Sequence, residues 1–131
     1  MTMKKNILVV DDDEHLRELV GMIFSPYGHS VTKVATAEKA IGLLSDPSKH
    51  FDLILSDFNL GAGMDGLEFI EAAKVLTSAV FWFWSATLDD EAVTRAKSLK
   101  VRRIIRKGAH LNIAQMARDF EEDMASVPVT T

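Results

Sequence analysis

Three stretches of this chain are almost unbroken runs of apolar residues, each the length of a strand: NILVVD (6–11), FDLILSD (51–57) and AVFWFWS (79–85). A strand with one wet face alternates apolar and polar residues. A strand without alternation must be covered on both faces, which points to the interior of a parallel sheet. Two further β-prone runs, SVTKVA (30–35) and VRRIIR (101–106), are broken by Lys33 and by arginines and read as the edges of that sheet.

Between the runs the apolar period changes to that of a helix. Leu16, Leu19, Val20, Ile23 and Phe24 form one amphipathic face, closed by Pro26-Tyr27-Gly28. The pattern returns at Ala37, Ala40, Ile41 and Leu44, at Leu67, Ile70 and on to Val75, at Ala92, Val93, Ala96 and Leu99, and at Ile113, Met116, Ala117 and Phe120. Strands alternating with helices of this length predict an α/β fold, a doubly wound five-stranded parallel sheet with helices on both faces. Right-handed crossovers and the two edge assignments select the order 2-1-3-4-5, in which ligands bind at the carboxyl ends of the first and third strands. The 131 residues fit one domain, expected over 1–124, with 125–131 as a C-terminal tail.

The carboxyl ends of the runs are where the chemistry collects. The first ends in Asp11-Asp12-Asp13, the third in Asp57, the fourth in Ser85, and the fifth in Lys107. A parallel sheet brings all of these to one edge, with adjacent strands about 4.8 Å apart. Each has an ordinary explanation alone: acids favour a helix N-terminus, serine caps, lysine reaches solvent. Together, converging carboxylates repel one another unless one protonates or a cation joins them. A hard divalent ion with oxygen ligands, Mg²⁺ above all, fits such a partial cage.

ILVVDDDEHLREL, DLILSDFNL…MDGLEFI, FWSAT and IIRKG, in this order and spacing, resemble the receiver domain of bacterial two-component response regulators, a flavodoxin-like fold, from Ile7 to about Met124. The resemblance implies that Asp57 accepts a phosphoryl group from the phosphohistidine of a sensor histidine kinase or phosphotransfer protein. It implies Mg²⁺ held by Asp12 directly, Asp11 through water, Asp57, and the carbonyl of Asn59. It gives Lys107 and Ser85 the phosphoryl oxygens, and Asn59 and Thr87 the tuning of hydrolysis. Such a module catalyses only its own phosphorylation and dephosphorylation, and relays the signal to a partner as a monomer or a phosphorylation-dependent dimer.

Three positions leave the family pattern. The aromatic usual three residues before the lysine is Ile104, the proline usual after the lysine is Gly108, and the proline usual four residues after the acceptor is Gly61, in a loop one residue longer than usual. Switching through the usual aromatic rotation is therefore in question, and a receiver-like scaffold that binds partners without phosphorylation is the alternative. The peptide before Gly108 is expected to be trans, since a cis bond before a non-proline costs about 2.5–4 kcal/mol.

Other chemistries fare worse. Gly61, Gly63 and Gly66 spell G-x-G-x-x-G, with Asp89 at a ribose-ligand distance, but four residues separate the strand from the first glycine and the pyrophosphate would face carboxylates. An aspartate-nucleophile phosphatase needs a second acid where Asn59 stands. His15, His29, His50 and His110 are scattered among helix starts and loops, and with no cysteine a zinc site is not expected.

Composition bounds the rest. Apolar residues make up 47% and charged residues 26%, as in soluble globular domains. The opening MTMKKNILVVDDD turns acidic too soon for a signal peptide, and no run approaches the ~20 apolar residues of a membrane span, so the expectation is a cytoplasmic protein. No output domain is expected after Met124. Charge is segregated: residues 92–118 hold 8 Lys/Arg and no acid, while 119–131 hold four acids and no base. We read the basic stretch as edge-strand protection with a solvated helix face, or a docking surface for an acidic partner. An overall charge of −4 disfavours nucleic acid.

Overall fold

The computed structural model describes residues 3–60, 64–86, 89–108 and 111–125. Strands β1 (Asn6–Val10), β2 (Ser30–Val34), β3 (Leu53–Asp57), β4 (Val80–Ser85) and β5 (Arg103–Arg106) alternate with helices α1 (Glu14–Phe24), α2 (Ala37–Leu44), α3 (Gly66–Ala73), α4 (Asp90–Ser98) and α5 (Ile113–Ala125). All strand pairs are parallel, in the order β2-β1-β3-β4-β5. The strands read as apolar throughout are the three central ones, and those broken by charge are the edges.

Each strand contributes to two cores because successive side chains point to opposite faces. Leu8, Val10, Ile54, Phe81 and Phe83 pack under α2, α3 and α4. Ile7, Val9, Leu53, Leu55, Trp82 and Trp84 pack under α1 and α5. The aromatic run of β4 is thus split, tryptophans to one side and phenylalanines to the other, all buried.

Every helix start carries a polar cap. Asp13 Oδ1 accepts from the His15 amide at 2.9 Å, Thr36 Oγ1 from Lys39 at 3.2 Å, Asp65 Oδ1 from Glu68 at 2.8 Å, Asp89 Oδ1 from Ala92 at 2.7 Å, and Asn112 Oδ1 from Gln115 at 3.0 Å. Each satisfies a donor that the helix itself leaves over. Asp89 is therefore spent on α4, which removes it as a ribose ligand.

Two sequence expectations need correction. The third helix stops at Ala73, and Val75 lies outside it, 85% exposed. His29 stands in the loop before β2, as expected, but is buried there, its ring against Phe120 and its Nδ1 accepting from the Lys5 amide at 3.0 Å. The basic stretch is not simply a solvated face either. Arg103 on β5 grips Asp123 on α5 with two bonds, Nε to Oδ2 at 2.8 Å and a terminal nitrogen to Oδ1 at 2.7 Å. The two segregated charge runs neutralise each other where α5 returns across the edge strand.

Candidate functional site

Register fixes which side chains meet. Asp57 lies opposite Trp84, and Trp84 opposite Ile105. Side chains in register share a face, so Asp57, Trp84 and Lys107, two residues past Ile105, emerge on the α1/α5 side at the carboxyl edge. Asp11, one residue past β1, enters the same volume.

The contacts are short. Lys107 Nζ donates to Asp11 Oδ2 at 2.8 Å and lies 2.9 Å from Asp57 Oδ2. Asp11 Oδ1 accepts the Asp13 amide at 2.8 Å, and Asp57 Oδ1 accepts the Asn59 amide at 3.0 Å. Arg17 on α1 holds the Asp11 carbonyl at 2.8 Å. Asp11 and Asp57 are buried, and Asp12 is exposed. Carboxylate oxygens of Asp11, Asp12 and Asp57 all lie within 4.8 Å of one another.

Burial pushes the Asp11 carboxyl above its ordinary range, and the nearby Asp57 charge pushes the same way, against the pull of Lys107 and the Asp13 amide. Three carboxylates thus face one ammonium, a deficit of positive charge. Their oxygen-only donor set suits a hard divalent cation, with one buried acid to orient it and one exposed acid to admit it.

The backbone around Asp57 tolerates no substituent at Gly66. A Cβ there would overlap the Asp57 carbonyl oxygen and stand 2.9 Å from the Phe58 Cα, and the Gly66 amide donates to the Phe58 carbonyl at 3.1 Å. That close approach accounts for Gly66 without any nucleotide. Gly61 and Gly63 of the same motif lie outside the described residues.

The structure brings Asp11, Asp12, Asp57 and Lys107 together, with Asn59 beside them. Ser85 ends β4, buried, and its carbonyl accepts the Lys107 amide at 2.9 Å. Ile104 pairs with Phe83 and packs on the α2–α3–α4 side, away from the acids. Thr87 lies outside the described residues. The described residues contain no cis peptide, and Gly108 follows the lysine at φ +127°. Asp13, read within the acidic tract, belongs to the helix.

Two participants were not found from sequence. Arg17 needed the first turn of α1 to bend back over Asp11, which no spacing announces. Trp84 lies with its ring 5.0 Å from Lys107 Nζ; its nearness to Ser85 was evident, but the strand register that puts it beneath the lysine was not.

Comparison with known proteins agrees with this fold. The profile of the response regulator receiver domain matches residues 7–117. Sporulation initiation phosphotransferase F of Bacillus subtilis is 31% identical over 74 residues, 56% of this chain and 57% of that protein. A cyclic di-GMP phosphodiesterase of Thermotoga maritima is 29% identical over 111 residues, 84% of this chain and 29% of that protein. The chain therefore spans about half of one curated relative and under a third of the other. The crystal structure of a receiver domain protein from Methanospirillum hungatei superposes with TM-score 0.85 at 23% identity, covering 94% of this chain and 95% of that one.

Proposed function

This chain belongs to the response regulator receiver domain family, and from that premise we propose that it is a phosphorylation-controlled signalling module whose acceptor is Asp57. The observation that carries the reading is the charge deficit at the sheet edge: carboxylate oxygens of Asp11, Asp12 and Asp57 within 4.8 Å of one another, against the Lys107 ammonium.

An Asp57 oxygen attacks the phosphorus of a donor phosphohistidine. A P–O bond forms, the P–N bond breaks, and the electron pair leaves on the donor imidazole, yielding an aspartyl phosphate. Asp11, Asp12, Asp57 and the Asn59 carbonyl would hold Mg²⁺, which supplies the positive charge that lets a carboxylate meet an anionic phosphoryl group. Lys107, already shared between Asp11 and Asp57, passes to a phosphoryl oxygen, and the Ser85 hydroxyl takes another. Asn59 and Thr87 are the positions expected to tune the later hydrolysis of the product by water. The domain acts on no substrate but itself. Its partners are a sensor kinase or phosphotransfer protein upstream and a protein target downstream.

Among the described residues no helix is long and apolar enough to cross a membrane, which agrees with a cytoplasmic role. Incubation with Mg²⁺ and acetyl phosphate, followed by intact mass, is the direct test. The wild type should gain one phosphoryl group and Asp57→Ala none; equal labelling of both defeats the assignment.

Ile104 favours a second reading, a scaffold that binds its partner regardless of phosphate. It has no hydroxyl to offer and already packs against the α2–α3–α4 core. If the parent barely switches, Ile104→Tyr will gain phosphate-dependent partner binding that the parent lacks. If the parent switches by another route, both will respond.

A further inference from the structure

Trp84 is fully buried, yet its indole N–H has no hydrogen-bond partner among the described residues. A buried donor left unmade is costly, and leucine or phenylalanine would fill an apolar position on β4 without it. What tryptophan offers above either is the best aromatic face for a cation. The Lys107 ammonium stands 5.0 Å from the centroid of that ring.

Three contacts therefore locate this ammonium: Asp11 at 2.8 Å, Asp57 at 2.9 Å, and the Trp84 ring. The two carboxylates are the groups that a cation and a phosphoryl group engage, so their hold on the lysine loosens as the chemistry begins. The ring takes no part in that chemistry and stays. Restraint is needed from it, because lysine has a flexible four-carbon stem. Moreover, the following residue is Gly108 at φ +127°, a conformation that glycine adopts freely and that lends the lysine no stiffness.

We propose that Trp84 is a positioning residue, whose ring face holds the Lys107 ammonium over the acidic pocket while Asp57 is phosphorylated. This rests on the reading of Asp57 as acceptor and adds to it a route by which this chain compensates for the glycine after its lysine.

The test is a double-mutant cycle on the rate of labelling by acetyl phosphate with Mg²⁺, read by intact mass. Trp84→Leu should slow labelling about five- to tenfold, between the exposed and the desolvated scale of a cation–π contact. Trp84→Phe, which keeps a ring and most of the volume, should stay within about threefold of wild type. In a Lys107→Ala background, Trp84→Leu should have no further effect, since the ring acts through the lysine. Independently of labelling, the Lys107 ε-methylene protons of the metal-free protein should be ring-shifted upfield in wild type and Trp84→Phe but not in Trp84→Leu. Equal slowing in both lysine backgrounds, an unslowed Trp84→Leu, a Trp84→Phe as slow as Trp84→Leu, or an absent ring shift in wild type overturns the inference while leaving Asp57 as acceptor. A wild type that takes no label overturns the acceptor assignment and this inference with it.

Discussion

Trp82 and Trp84 stand two residues apart on one strand, point to the same face, and are both fully buried. Each has a cation from the β5 side near its ring, Arg103 at 5.9 Å and Lys107 at 5.0 Å, and each cation holds a buried aspartate. In the first constellation everything closes. The Trp82 indole donates to Asp123 at 2.7 Å, Arg103 grips both oxygens of that carboxylate, and Arg102 stands 3.6 Å from it. In the second the closure is incomplete: the Trp84 N–H has no partner among the described residues, and the Lys107 ammonium, though it holds Asp11 and Asp57, faces three acids. The same residue types build a staple in one place and an under-neutralised acidic pocket in the other. The difference lies in whether polar and charged groups are satisfied before any ligand arrives.

The largest contrast should come from removing one aspartate from each. Asp123→Ala leaves a partly buried guanidinium and an indole N–H without their main acceptor, and should cost about 3 kcal/mol, lowering Tm by roughly 10 °C. Its folded fraction should still accept phosphate. Asp57→Asn should abolish labelling outright yet leave thermal stability of the metal-free protein unchanged or slightly raised, since it relieves like-charge repulsion with Asp11. If Asp123→Ala destroyed labelling of well-folded protein, or Asp57→Asn unfolded it, the division into staple and site would collapse.

A ligand that supplies the missing charge should stabilise only the open constellation. Mg²⁺ at a hundredfold excess over its dissociation constant is worth about 2.7 kcal/mol, visible as a rise in Tm that Asp12→Ala diminishes and Asp123→Ala does not. Protons substitute in part. Burial holds the Asp11 carboxyl above its ordinary 3.8, so the folded state binds more protons than the unfolded in that window. In chelator, stability should therefore fall as pH rises from 3.8 through the raised folded pKa, relative to Asp11→Asn. Saturating Mg²⁺ should flatten that slope; a slope unaltered by both changes would mean that Asp11 does not carry the excess charge.

The matched substitutions Trp82→Phe and Trp84→Phe remove the same indole ring edge from the same strand. The first deprives Asp123 of a donor and should cost about 1.5–3 kcal/mol, the scale of a hydrogen bond to a charged group. The second removes an orphan donor, so the lost volume is partly offset and the cost should be about 1 kcal/mol or less. Chemical denaturation midpoints read the difference. Equal costs would mean that the Trp84 N–H has a partner in solution and that the two indoles differ less than their surroundings.

How much of this contrast could be read from the chain follows from the range of each interaction. The sheet order was legible because burial on two faces erases alternation in β1, β3 and β4, a property of each strand by itself. Asp11, Asp12, Asp57 and Lys107 were legible because a parallel sheet sends every carboxyl end to one edge, whatever the register. The staple was not. Trp82, Arg103 and Asp123 meet only once β4 and β5 are in register and α5 has crossed back over them, and no local period encodes that. For the same reason the run of bases after Ala92 read as edge-strand protection with a solvated helix face, or as a docking surface, when Arg103 is answered within the chain by Asp119, Glu122 and Asp123. Motif spacing finds residues placed by topology; it passes over residues placed by packing.

The smallest expected signal is also the most selective. Both tryptophans absorb and emit, but binding of Mg²⁺, or of beryllofluoride as a phosphoryl mimic, draws on Asp11 and Asp57 and so moves the ammonium that lies over Trp84. Trp82 instead lies against Asp123, Arg103 and Phe120, none of which belongs to the acidic pocket at the sheet edge. Titration should thus shift the emission of wild type and of Trp82→Phe by a modest fraction, and leave Trp84→Phe flat. A response that survives in Trp84→Phe and vanishes in Trp82→Phe would reverse the assignment, because it would place the ligand-sensitive charge at the staple. A response divided between the two would show that the constellations are coupled through β4, and that the staple takes part in the response at the sheet edge.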